Sequence, residues 1–173
     1  IDGCVNAFYP KSINWGTKFE KLEIKYLKED ILNQLAVPII IFQKLILFYL
    51  KQGFGNIVNI ASIQGSNNPK FQHYNNLNMV SPIEYSAIKA ATISYSKYLA
   101  KYYKKRNIRV NVVSPGGIND KQPAIFKKRY KLDCNSKGLL DGKDISTTIS
   151  FLLSDNSKFI NGQNIIIDDG WSL

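Results

Sequence analysis

Four short apolar runs punctuate the chain, separated by longer segments whose apolar positions recur at helical spacing. Cys4–Phe8, Asn56–Ala61, Ile108–Val113 and Asn164–Ile167 are rich in Val and Ile and predict strands. Phe19–Gln52 predicts a long helix. Pro38 interrupts it, removing an N–H and crowding the carbonyl of Gln34, so a kink with one or two free carbonyls is expected near Asn33–Pro38. Gly53-Phe54-Gly55 ends that helix. Ser62–Ser81 is a polar loop, and Pro82–Tyr103 predicts a second long helix with Ser81 as its N-cap. Ser114-Pro115-Gly116-Gly117 breaks the third strand. Pro123–Tyr130 and Asp144–Leu153 predict two further helices. Strands that are apolar throughout, alternating with helices, predict one α/β domain over residues 1–173, its parallel sheet covered on both faces. Ligands of such sheets bind beyond the carboxyl ends of the strands. The polar segments Ser62–Ser81 and Ser114–Pro123 both follow strand ends and are expected to meet there.

The 173 residues suffice for one hydrophobic core, and 45% hydrophobic with 21% charged residues is a globular composition. No uninterrupted apolar stretch reaches about 18 residues, so no membrane-spanning helix is expected. Two cysteines, Cys4 and Cys134, make no disulfide framework, and a cytoplasmic location is expected. A single histidine, His73, and the lack of any CxxC pair exclude a His-based zinc site and a His-based triad, and no metal is expected. The net charge of +10 is local: Lys97–Lys131 holds eleven basic residues against Asp120 alone, and the remainder of the chain balances. This window is either a solvated lysine-rich face or a means of drawing in an anionic substrate through Lys127, Lys128 and Arg129. No aromatic-interleaved basic strand or recognition helix accompanies it, so no nucleic-acid partner is expected.

Tyr85 and Lys89 stand at i and i+4 in E-Y-S-A-I-K and share a helix face. An ammonium beside a phenol favours the phenolate, and lowers the tyrosine pKa from about 10. Such a pair could move a proton to or from a substrate oxygen. Ser62 closes the second strand 23 residues before Tyr85.

With VNA after the first strand, NIVNIAS, YSAIK, NIRVNVVSPGGI and the closing GQNIIIDDGW in this order, the chain resembles the C-terminal two-thirds of the short-chain dehydrogenase/reductase family. The combination of A-F-Y-P, the long loop ending MVSPIEYSAIK and PGGINDKQP is similar to a branch found in bacterial surface-carbohydrate and flagellin-glycan clusters. The resemblance implies a Rossmann-like doubly wound sheet and an oxidoreductase using NAD or NADP. Tyr85 would be the general acid/base, Lys89 would hold the nicotinamide ribose and keep Tyr85 ionisable, and Ser62 would bind the substrate oxygen. Asn33 resembles the helix asparagine that anchors a proton-relay water, with Gln34 one register away. Asn6 and Ala7 match the cofactor-side NNAG turn, and Pro115, Gly116, Gly117 and Ile118 match the segment along the nicotinamide carboxamide.

There are departures from the family pattern. NNAG reads Val5-Asn6-Ala7-Phe8-Tyr9-Pro10, and no Gly-rich phosphate loop is present. The N-terminal strands and phosphate-binding loop of the family are therefore expected upstream of Ile1. The expected substrate is small, polar and sugar-like, contacted by Ser62, Tyr74, Lys127, Lys128 and Arg129. Loop residues such as Asn67, Asn68, Gln72, His73, Asn75 and Asn76 are expected to face its hydroxyls. A homo-oligomer, dimer or tetramer, is expected through the two long helices, with Tyr95, Tyr98, Tyr102 and Tyr103 at the contact. The alternative is a non-catalytic binding or scaffold protein with the same fold.

Overall fold

The computed structural model describes residues Ile1 to Leu173. Four parallel strands lie in the order β1 (Gly3–Asn6), β2 (Gly55–Ile60), β3 (Ile108–Pro115) and β4 (Asn164–Ile167). Helices α1 (Ile24–Ile31), α2 (Val37–Gln52), α3 (Ile83–Tyr102), α4 (Ala124–Leu132) and α5 (Gly142–Leu153) fill the connections. Successive strand residues point to opposite faces, so Ile57 and Val58 feed different cores. Ile57, Ile108 and Val110 pack with Phe42, Ile46 and Tyr49 of α2 and Ala100 of α3. Val58 and Val113 pack with Leu152 of α5. Both sheet faces are thus covered, as continuous apolar strands require, and the fold is the expected doubly wound α/β sheet.

The long helical segment changes register where the proline predicts it. A π-turn spans Leu32–Ala36, and the amide of Val37 reaches back five residues to the Leu32 carbonyl. The next acceptor in that register is the carbonyl of Asn33, and Pro38 has no N–H to give it. Ile24–Gln52 therefore runs 29 residues without a break, with a mean hydropathy of 1.8 over its most apolar window. This corrects the expectation from uninterrupted runs: by length and composition this helix could cross a membrane. In the fold it covers the sheet, since Phe42, Ile46 and Tyr49 are buried against it.

Several boundaries differ from expectation, each for a local reason. β1 ends at Asn6, not Phe8, because the Asn6 side chain accepts the Phe8 amide at 3.2 Å and turns the chain. α3 starts at Ile83: Pro82 keeps an extended ψ of 143° and is itself the cap residue. Ser81 then lies too early to cap and donates to Gln64 Oε1 at 2.7 Å. α5 starts before Asp144, at Gly142, because Asp141 and Asp144 form a reciprocal capping box.

Candidate active site

Strand ends β1, β2 and β3 converge on two adjoining cavities. The larger, about 610 Å³, is lined by Ser62, Tyr74, Tyr85, Gly116, Gly117 and Ile118, among others. The smaller, about 220 Å³, is lined by Ala7, Ile60, Ala61, Tyr85, Lys89, Pro115, Gly116 and Ile118. Tyr85 and Gly116 border both. The two polar segments after β2 and β3 meet here, as their positions predict.

Ser62 is the last extended residue before a 3₁₀ turn, Ile63–Gly65, and its hydroxyl accepts the Gln64 amide at 3.2 Å. A Cβ on Gly65 would lie 2.7 Å from the Lys89 backbone, so glycine lets this turn press onto α3 beside the Tyr85–Lys89 pair. Burial pushes the Tyr85 phenol above its ordinary value, and the nearby Ser62 hydroxyl, which favours the ionised form, only partly opposes this. The expected lowering by Lys89 is absent. The Lys89 ammonium lies 5.7 Å from the Tyr85 ring centre and donates instead to the Ile60 carbonyl at 3.0 Å. Burial brings Lys89 down to about 8. Burial thus disfavours the charged form of each group.

The turn after β3 is fixed from α4. The Tyr130 hydroxyl accepts the Gly117 amide at 2.7 Å, and the Tyr130 ring stacks on Trp171 at 5.6 Å. A Cβ on Gly117 would meet Leu139 at 2.5 Å and the Tyr130 ring at 3.0 Å, so only glycine allows the backbone this close. Gly116 and Ile118 thereby form a wall shared by the two cavities, and Pro115 lines the smaller one.

Other expected residues are placed elsewhere. Asn6 donates to Asn59 Oδ1 at 2.9 Å, within a network of Asn59, Tyr95 and Ser96 that ties β1 to β2 and α3, and it borders neither cavity. Asn33 is only half-buried; its neighbour Gln34 is buried, with neither amide atom partnered. The buried amide of this turn is therefore the one a register away. Arg129 donates to the carbonyls of His73 and Asn75, at 3.3 and 2.6 Å, and so clamps the long loop instead of facing the cleft. His73 borders the larger cavity, but most of it is buried beside Phe126, Tyr130 and Trp171, and it pairs with Asp133 at 2.5 Å. Of the loop's amides, Gln64 lines the cleft, whereas Asn67, Asn68, Gln72, Asn75 and Asn76 do not. Lys127 and Lys128 line a separate polar groove with Lys131 and Lys137, which touches the cleft at Asn119. Lys127 Nζ bonds Asn119 Oδ1 at 2.7 Å and the Asp120 carbonyl at 3.0 Å, bracing that rim.

Sequence reasoning missed Tyr9, Trp15 and Tyr130. Tyr9 and Trp15 reach the cleft from the loop between β1 and α1, and both rings meet Tyr85 edge-on, at 5.7 and 6.1 Å. The departure of A-F-Y-P from NNAG was the available signal.

Known proteins resemble this chain in sequence and fold. A family profile described as "Enoyl-(Acyl carrier protein) reductase" matches residues 1–172. The chain is 45% identical over its whole length to the post-translational flagellin modification protein A of Campylobacter coli, covering 68% of that protein. It is 31% identical to the 7alpha-hydroxysteroid dehydrogenase of Bacteroides fragilis, covering 65% of it. A short-chain dehydrogenase from Leptospira borgpetersenii, solved with bound NAD+, superposes on 99% of the chain with a TM-score of 0.91 at 29% identity, and the match spans 65% of that structure. A 4-hydroxyisoleucine dehydrogenase solved with NADH matches with a TM-score of 0.84 at 30% identity, over 99% of this chain and 69% of its own. The chain thus spans about two-thirds of the length of these relatives. Strand order, the sequence of motifs and these likenesses agree: the chain belongs to the short-chain dehydrogenase/reductase family.

Proposed function

We propose that the protein is an NAD- or NADP-dependent oxidoreductase acting on a hydroxyl or carbonyl of a small, polar, sugar-like substrate. One observation carries this reading: Tyr85 stands in the wall shared by two cavities, with Ser62 opening to one and Lys89 to the other. The smaller cavity fits the nicotinamide end of the cofactor. Its floor is apolar, from Ala7, Ala61, Pro115 and Ile118, and Lys89 has only the Ile60 carbonyl as a protein hydrogen-bond partner. An ammonium has three donors, so two remain for ribose hydroxyls. The bound nicotinamide would supply or accept the hydride. The protein's part is to hold the substrate oxygen between Ser62 and Tyr85 and to move one proton at the Tyr85 phenol. The larger cavity offers Gln64, Ser81, Asn119 and Gln122 to a polyhydroxylated ligand, and the flagellin modification relative supports a carbohydrate setting.

The same reading makes the chain the C-terminal part of a longer Rossmann domain. β1 pairs only with β2, and the relatives are about half again as long as this chain. The apolar residues that α2 and α3 leave exposed, Ile40, Phe48, Tyr98 and Tyr102, support a homo-oligomer. Tyr95 and Tyr103 pack inward, so they are not offered to a partner. A cytoplasmic setting accords with the nicotinamide chemistry.

The test is Tyr85→Phe in the intact protein with NAD(P)+ and candidate sugars. Turnover should fall by about 10²–10⁴-fold while cofactor binding stays close to wild type. Wild-type turnover by that variant would sink the acid/base assignment. Cofactor binding by wild type without turnover of any hydroxyl or carbonyl substrate would favour a scaffold role.

A further inference from the structure

Tyr9 directly follows the NNAG-like turn Val5–Phe8, and it lines both cavities of the site. The Lys89 ammonium is 5.5 Å from the Tyr9 ring centre and 5.7 Å from that of Tyr85, within the range of cation–π attraction. Trp15 packs edge-on against Tyr9 at 5.5 Å, so the three rings of Tyr9, Trp15 and Tyr85 brace one another.

The loop that carries these rings is built, not loose. Asp30 on α1 accepts the Ser12 amide at 2.8 Å and the Ser12 hydroxyl at 2.7 Å, and all three partners are buried. Trp15 N–H bonds the Ser12 carbonyl at 3.2 Å, and Thr17 closes onto the Asn14 carbonyl through both its amide and its hydroxyl. Pro10 stiffens the backbone directly after Tyr9. The chain thus spends a buried carboxylate on fixing where Tyr9 sits.

We propose that Tyr9 is a positioning residue that keeps the Lys89 ammonium charged beside Tyr85 by presenting its ring face to it. This rests on the acid/base reading of Tyr85. The remaining surroundings of Lys89 supply little for its charge. From β2 comes one carbonyl, Ile60, and from α3 the neutral phenol of Tyr85; the carboxylates Asp30 and Glu84 act on Tyr9, and Asp30 is engaged by Ser12. Tyr74, which also faces Tyr85 from the long loop, is pushed up by burial and stays neutral. Tyr9 itself is pushed above the ordinary tyrosine range by burial, so it offers a ring quadrupole and not an anion. Lys11 lies 5.1 Å from the same ring but is exposed, where water does most to stabilise its charge.

The choice of variant decides the sign. Tyr9→Ala would admit water and relieve burial, which raises the Lys89 titration; Tyr9→Leu keeps an apolar body and removes only the ring face. In the intact protein, the Lys89 titration is followed by NMR of its side-chain nitrogen, assigned by its loss in Lys89→Met. Tyr9→Leu should move it down by about half a pH unit to one unit, and Tyr9→Phe should leave it in place. The pH dependence of turnover should move in Tyr9→Leu and not in Tyr9→Phe. An unmoved Lys89 titration in Tyr9→Leu overturns the proposal. So does an equal shift in both variants, which would give the role to the hydroxyl. If Tyr9→Leu does not fold, Tyr9→Trp, with the stronger quadrupole, should raise the titration, and the lack of a rise overturns the proposal equally. Full turnover in Tyr85→Phe would instead sink the acid/base reading, and the Lys89 titration would still judge Tyr9.

Discussion

The Tyr130 hydroxyl accepts the Gly117 backbone amide at 2.7 Å. Through this bond a helix that never touches the smaller cavity sets the backbone that walls it. Tyr130 is itself held by stacking on Trp171 and by the packing of Phe126 and His73. Tyr130→Phe keeps the stack but leaves the amide without an acceptor. A buried donor left unmade costs about 1–3 kcal/mol. Denaturant unfolding should show a loss of that order, and the intact enzyme should show a raised KM for the nicotinamide cofactor. A variant with unchanged stability and KM would show that the turn holds without Tyr130.

Asp30 makes a second long-range anchor that can be tested by itself. Asp30→Ala frees the buried Ser12 amide and hydroxyl at once. Hydrogen bonds to a charged acceptor are the stronger kind, so the loss should be on the order of 3 kcal/mol. The loop carrying Tyr9 and Trp15 should loosen with it. Backbone amide exchange at residues 12–17 should rise in this variant far more than exchange in β2 and β3, and an equal rise everywhere would indicate global destabilisation alone.

The strands and the candidate trio of Ser62, Tyr85 and Lys89 were legible because their signals are local. Ile57, Val58, Val110 and Val112 belong to runs rich in β-branched residues, and Tyr85 and Lys89 stand one helical turn apart. The boundaries that moved depend on single side chains competing for backbone groups, as Asn6 does for Phe8 and Asp141 for the start of α5. Trp15 and Tyr130 were invisible because nothing in their own neighbourhoods predicts that they meet Tyr85 or Gly117 across the fold; for Tyr9 the departure of A-F-Y-P from NNAG marked the place but not the contact. The basic window was visible as charge, but counting charge says nothing of pairing. Arg129 turns out to hold two loop carbonyls, and Lys127 a rim asparagine.

Asp169 gives the acid limb of stability. Its carboxylate accepts the amides of Ser136, Lys137 and Gly138 and the Ser136 hydroxyl, which holds it down at about 2. A carboxyl whose pKa is lowered by folding stabilises the fold above its ordinary range near 4, and that contribution is lost as pH falls from there through about 2. Wild type should therefore lose stability over that window. Asp169→Asn should start less stable at neutral pH and show a flatter acid limb; an acid limb identical to wild type would exclude this carboxylate as a source of the slope.

The exposed aromatics of α3 test the oligomer. Tyr98 and Tyr102 stack on each other at 5.7 Å with most of their surface open, beside Lys97, Lys101 and Lys105. Large rigid aromatics of this kind favour burial at interfaces. Replacing both with lysine should convert the intact protein to a smaller species by light scattering without loss of folded signal. A wild-type monomer at micromolar concentration would contradict the expectation outright.

Lys128 and Lys131 decide between substrate capture and mere solvation. With Lys127 they line a groove of about 500 Å³ that meets the substrate cleft at Asn119. Lys137 at its far side is already paired with Asp141 and Asp144, so the uncommitted charge lies at the other three. A phosphorylated or nucleotide-linked sugar seated against Tyr85 would have room to extend its anionic tail there. Exposed charges act over roughly 8–10 Å at physiological salt, so the effect belongs to capture more than to the chemical step. Lys128→Gln together with Lys131→Gln leaves the Lys127 brace on Asn119 intact. This pair should raise KM for an anionic substrate at low ionic strength, change kcat little, and lose its effect as salt is added. A neutral sugar alcohol should show no change in either variant or salt series. Equal kinetics for wild type and the double variant at low salt would leave the lysines as a solvated face.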